Sequence, residues 1–253
     1  QIRLFSHKEQ FESLINLYSK KKLPNKILFS GEKGIGKCTL AYHIVNYILS
    51  LNEKNSYDTK NFQINFENRS FKLVQNKSNP NFILIDISVD KKNIDIDQIR
   101  NLILSLNKSS FNDKPRIVLI DNIELLNINS VNALLKILEE PNDNINFILI
   151  NNNKKILPTL KSRCLDFKIQ LNFEQSIDTI NKILDNNIYD LLNIDLINYY
   201  NTPGQLFNLI NLQNQFDLNL NEMNLKDLIF FIIKNKHYKK DFIINELIYS
   251  LIE

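Results

Sequence analysis

The chain has 253 residues, 43% of them hydrophobic, enough for one large domain or two modest ones around a sizeable core. Thirty-one basic against 28 acidic residues leave a formal charge of +3, a balance that does not announce nucleic-acid binding and leaves only a local basic patch open. No apolar run of about eighteen residues suggests a membrane span, and no apolar block with a small-residue cleavage site marks a secretory leader, so a cytoplasmic protein is expected.

In chain order, Lys20-Lys21-Lys22 is a basic run read by default as a solvated loop. Ile27–Ser30 is a short strand that runs into Gly31-Glu32-Lys33-Gly34-Ile35-Gly36-Lys37, and a helix opens from Leu40. That strand–glycine loop–helix order is the context of a phosphate-wrapping loop. Gly31, Gly34 and Gly36 let backbone N–H groups face an anion, the helix N-terminus adds partial positive charge, and Lys37 would reach the outer phosphates. ATP or ADP is therefore the candidate ligand; the alternative is a loop that only turns a strand into a helix. Cys38 stands where Ser or Thr would hold Mg²⁺, and a neutral thiol is a poor ligand for that hard cation. Thr39, one place on, points about a third of a turn away round the helix.

Residues 52–80 read as an irregular insertion. Phe82–Asp86 and Ile117–Asp121 are apolar runs ended by Asp, and Phe147–Ile150 is another, followed by Asn151, Asn152 and Asn153. Such continuous runs fit central strands of a parallel sheet covered on both faces. Ile96, Ile99, Ile103 and Leu106 form a helical stripe, as do Val131, Leu134, Leu135 and Leu138, with Ser130 as N-cap and Pro141 as the stop. Asp121 has the form of a magnesium-holding strand-end carboxylate. Its follower is Asn122, which cannot act as a base, and Glu124 faces elsewhere if the segment stays extended. Two departures, Cys38 and Asn122, point to a weak or dead ATPase. Past Phe167–Ile169 the pattern turns all-helical: Phe173–Leu184, Ile188–Tyr199, Gly204–Leu212 and two more from about Leu225. The expected organisation is an α/β P-loop core over 1–170, a small helical lid over 171–212, and a short or truncated helical segment over 213–253.

Asn132-Ala133-Leu134-Leu135-Lys136-Ile137-Leu138-Glu139-Glu140-Pro141, followed by Leu160-Lys161-Ser162-Arg163-Cys164, resembles the clamp-loader subunits of bacterial DNA polymerase III. The opening, Phe5-Ser6-His7 and Leu23–Gly31, is similar too. The resemblance covers 1 to about 170 well and about 171–212 loosely. It implies an AAA+ core in a hetero-pentamer of gamma/tau motor subunits and a delta subunit, which opens a sliding clamp and places it on primed DNA. The chain would be a subunit of a DNA-directed DNA polymerase holoenzyme, not an ATPase by itself. Carried over, Arg163 reaches a neighbour's ATP as a trans arginine, and the polar sensor after the fourth strand falls on Asn151 or Asn152. The damaged loop with a retained Ser162-Arg163-Cys164 matches the delta-prime type; the alternative is an ATP-hydrolysing gamma/tau-like motor that uses Thr39 or backbone groups to hold magnesium. An unrelated P-loop kinase would need a substrate carboxylate or an arginine lid in the second half, and none stands out. Thr202-Pro203-Gly204-Gln205 lacks the second sensor arginine of the motors. Residues 52–80 hold no cysteine, and Cys38 and Cys164 form no C-x-x-C pair, so neither zinc nor a disulfide framework is expected. Lys154, Lys155 and Lys161 could meet a phosphate backbone.

Overall fold

A computed structural model describes all residues except 89–90, 109–111, 140–143, 199–200, 237–243 and 246–253. The chain divides into one unit of residues 1–32 and 37–169, and a second of residues 33–36 and 170–253. Among the described residues no helix is long and apolar enough to cross a membrane.

The first unit holds β1 (Lys26–Ser30), β2 (Phe82–Ile85), β3 (Arg116–Ile120), β4 (Ile145–Asn151) and β5 (Leu165–Lys168). All pairings are parallel, in the order β2-β3-β4-β1-β5. Around them run α1 (Lys8–Ser19), α2 (Lys37–Ser50), α3 (Arg69–Gln75), α4 (Ile96–Leu106), α5 (Ile128–Glu139) and the single turn α6 (Pro158–Lys161). This is the α/β core expected. The expectation that the apolar runs are all central needs correction for β2, an edge strand whose Leu84 is 40% exposed. β3, by contrast, is buried along its whole length. Edge and centre are set by strand order, which hydrophobicity alone does not reveal.

Local chemistry places the helix ends. Ser130 is not the N-cap of α5; it lies inside the helix, where its N–H donates to Asn127 Oδ1 at 2.8 Å. Glu140 and Pro141, the expected stop, lie outside the described residues. The insertion is less irregular than expected, because Asn68 caps α3 through the Phe71 N–H. Buried Arg116 opens β3 and donates to the carbonyls of Ser105, Leu106 and Lys108, satisfying the C-terminal end of α4.

The second unit contains α7 (Phe173–Leu184), α8 (Ile188–Leu191), α9 (Pro203–Phe216) and α10 (Leu225–Lys234). The helix expected over Ile188–Tyr199 is instead the short α8 and a 3-10 turn at Ile194–Leu196, and Tyr199 lies outside the described residues. Asn193 explains the interruption: its side chain accepts from the Asp195 N–H, a local bond that competes with helix. Of the two helices expected after Leu225, α10 is present, and most of the other falls outside the described residues. One hydrophobic cluster joins Ile180, Leu206, Leu212, Leu228, Ile232 and Ile244.

Candidate functional site

β1 delivers the chain into the glycine loop, and α2 begins at Lys37. In the first unit Lys37 is almost wholly buried, and its Nζ donates to the Gly31 carbonyl at 2.8 Å and to the Glu32 carbonyl. Burial brings its amine down to about 8, against the opposing pull of Asp121 and Glu124. Gly31 is buried, and its N–H donates to the Asn151 carbonyl at 3.3 Å, tying the loop's start to the end of β4.

Cys38 occupies the first turn of α2, its thiol close enough to the Asp121 carboxylate beyond β3 for each to shift the other's titration. Burial, and then the negative charges of Asp121 and Asp86, push the thiol far above its ordinary range. The Asp121 carboxyl is also raised: burial dominates, the neighbouring Cys38 thiol pulls the other way, and Asp86 adds to the rise. Thr39 is half-buried and lines a groove with Tyr42, Phe71 and Leu84.

Beyond Asp121 the chain departs from the extended course expected. Asn122 has φ 55°, left-handed backbone that Asn tolerates, and the next residues fold into a 3-10 turn at Ile123–Leu125. Glu124 therefore does not face elsewhere. It joins a chain of bonds that starts at Asp86, beyond the end of β2. Asn122 Nδ2 donates to Asp86 Oδ1 at 2.8 Å, and Asn152 Nδ2 donates to both Asn122 Oδ1 and Glu124 Oε1 at 2.8 Å. Asn152 is thus the asparagine that meets this network. Asn151 is buried with its Nδ2 on the Lys154 carbonyl, and its Oδ1 has no hydrogen-bond partner among the described residues.

In the second unit, Gly34 has φ +89° and Gly36 φ +96°, backbone that favours glycine. The start of α9 is bonded to this stretch. Thr202 Oγ1 donates to the Lys33 carbonyl at 3.0 Å, and the Gly204 N–H donates to the Gly34 carbonyl at 2.9 Å. Thr202 is also the N-cap, in a reciprocal box with Gln205, and Pro203 occupies the first turn. Sequence reasoning missed this contact. A signal for it existed: the chain has four glycines, three of them in the loop, and the fourth is Gly204.

Glycine geometry and a buried lysine suit phosphates. The donor set does not suit Mg²⁺, because the residue at the hydroxyl position is a neutral thiol, a poor ligand for a hard cation.

Arg163 lies just past α6, within Ser162-Arg163-Cys164, its side chain 30% exposed. Its Nη1 donates to the Thr159 carbonyl at 2.7 Å, and its Nη2 donates to Glu139 at the end of α5. Lys20, Lys21, Lys22, Lys154, Lys155 and Lys161 are all exposed, and Lys161 pairs with Asp166 at 3.2 Å.

A parallel sheet whose strand feeds a glycine loop into a helix, with an aspartate at the tip of a neighbouring strand, defines the phosphate-loop class of α/β proteins. The family model of the DNA polymerase III delta subunit matches residues 6–173. The delta-prime subunit of DNA polymerase III from Buchnera aphidicola subsp. Schizaphis graminum is 32% identical over 183 residues, 71% of this chain and 52% of the relative. The gamma subunit from the same organism is 28% identical over 230 residues, 89% of this chain and 61% of the relative. A DNA polymerase III gamma subunit-related protein from Thermotoga maritima superposes with TM-score 0.47 at 22% identity, over 68% of this chain and 49% of that one. The chain belongs to the DNA polymerase III delta subunit family, in agreement with the resemblance carried by Asn132–Pro141 and Ser162–Cys164. It spans about half to three-fifths of the length of these two curated relatives.

Proposed function

We propose that this chain is a delta-prime-type subunit of a DNA polymerase III clamp loader that does not hydrolyse ATP and lends Arg163 to a neighbouring subunit's nucleotide. The observation that carries the reading is that Cys38, in the first turn of α2 where a hydroxyl would hold magnesium, sits beside Asp121. A thiol stands where a hydroxyl would meet magnesium, and Asn122, where a base is required, carries an amide. A guanidinium supplied from outside suits a neighbour's site, since it stabilises charge on a transferring phosphoryl group with no other chemistry.

In this reading the partners are gamma/tau motor subunits, a delta subunit, the sliding clamp and primed DNA. Residues 1–170 serve as the core, 171–212 as a lid, and 213–253 contribute to assembly. Gly31, Gly34, Gly36 and Lys37 hold ATP or ADP without turnover, with Cys38 and Thr39 next in the chain, Asp121 acting on Lys37 and Asn151 bonded to Gly31.

The test has two arms. The isolated chain is incubated with ATP and Mg²⁺, and turnover that disappears in Lys37→Ala would overturn the non-hydrolysing assignment. A loader reconstituted with motor subunits, clamp and primed DNA is then compared with one carrying Arg163→Ala. ATP turnover should fall by about a thousandfold at the site Arg163 serves; unchanged turnover removes the trans role.

A further inference from the structure

The Arg163 side chain is already held within its own chain. α6 ends at Lys161, and the guanidinium folds back so that Nη1 meets the carbonyl of Thr159. Nη2 meets Glu139, the last residue of α5, 24 positions earlier in sequence. An arginine carries five N–H donors, so these two bonds leave three for another acceptor. The two side chains are 30% and 52% exposed. A pair at that exposure adds little to stability. What it does provide is orientation: a long side chain loses much rotamer freedom when it must reach one geometry, and a carboxylate that fixes it beforehand reduces that loss.

We infer that Glu139 is a positioning residue that pre-orients Arg163 for the neighbouring nucleotide. This rests on the trans role proposed above for Arg163. Glu139 acts through the guanidinium and touches no nucleotide itself. The alternative function of the same contact is to sequester Arg163, and it predicts the opposite change when the carboxylate is removed.

The experiment uses the reconstituted loader with clamp and primed DNA, and compares Glu139→Ala, Glu139→Gln, Arg163→Ala and the Glu139→Ala/Arg163→Ala double variant. Glu139→Ala should lower kcat about threefold to fivefold with KM for ATP unchanged, the size expected from losing one exposed pair. Glu139→Gln should recover part of this, because its amide oxygen still accepts from Nη2. The double variant should be no worse than Arg163→Ala, since Glu139 has nothing left to position. Thermal denaturation of each variant checks that the fold is intact. The inference is overturned if Arg163→Ala lowers turnover while Glu139→Ala leaves it unchanged or raises it, or if the two losses multiply. If Arg163→Ala itself has no effect, the trans role fails first and this inference falls with it.

Discussion

Gly204→Ala sets two physical effects of opposite sign against each other. In an ordinary helix position the replacement stabilises by up to about 1 kcal/mol, because alanine loses less backbone entropy than glycine. Here a Cβ on residue 204 would lie 2.6 Å from Gly34 Cα and 3.0 Å from the Gly34 carbonyl oxygen, both backbone atoms. Neither can rotate out of the way, so the start of α9 must move off residues 33–36. That displacement costs about 1–3 kcal/mol as overpacking. It also strains the Gly204 N–H to Gly34 carbonyl bond of 2.9 Å, with a loss of about 1 kcal/mol. The balance is a destabilisation of about 1–3 kcal/mol. Urea unfolding followed by amide exchange in residues 33–36 and 203–216 reads it out, with faster exchange expected in both segments. A variant as stable as the parent or more so, with exchange unchanged, would refute the contact and leave helix propensity as the governing effect.

Buried His43 should make stability depend on pH. Burial lowers its imidazole to about 4 from an ordinary 6.5. The unfolded chain therefore binds more protons between those values, and the contribution present above pH 6.5 is lost as pH falls towards 4, by about 3 kcal/mol. Chemical denaturation of His43→Gln and the parent should show this slope in the parent alone. Cys164, pushed up to about 11 chiefly by burial, should alkylate at pH 8 about a hundredfold more slowly than a free thiol, with Cys38 slower still. Mass spectrometry after iodoacetamide labelling checks both, and equal labelling in native and urea-unfolded protein would count against the burial.

The fold was legible wherever a single residue type carries a backbone requirement. Gly31 to Lys37, the apolar runs ended by Asp86 and Asp121, and the stripe from Ile96 to Leu106 each imply one local geometry. The α7 boundaries were legible as well, since Asn172 and Gln175 form a capping box at its start. Strand order was not legible, because burial of β2 depends on which strands flank it. The course after Asp121 was not legible either. Asn122 can adopt extended or left-handed backbone, and only the bonds to Asp86 and Asn152 select the latter. The Arg163–Glu139 pair lay within the residues that carry the family resemblance, yet no spacing rule joins positions 139 and 163.

The amide at position 122 is coupled to its neighbours, and this bears on what a carboxylate at that position would meet. Asn122→Glu would place a carboxylate against Asp86 Oδ1, which now accepts a hydrogen bond from Asn122 Nδ2 at 2.8 Å. It would also face Asn152 in competition with Glu124, in a half-buried setting where Asp121 is already raised by burial and by Asp86. A lost bond and a like-charge contact together cost about 1–3 kcal/mol. Adding Asp86→Asn reverses donor and acceptor while keeping the bond, so the double variant should recover most of that loss, with a coupling of about 1–2 kcal/mol between the two positions. Urea denaturation of the two single variants and the double variant measures this coupling directly. Additive losses would mean that Asp86 and Asn122 do not act as a pair.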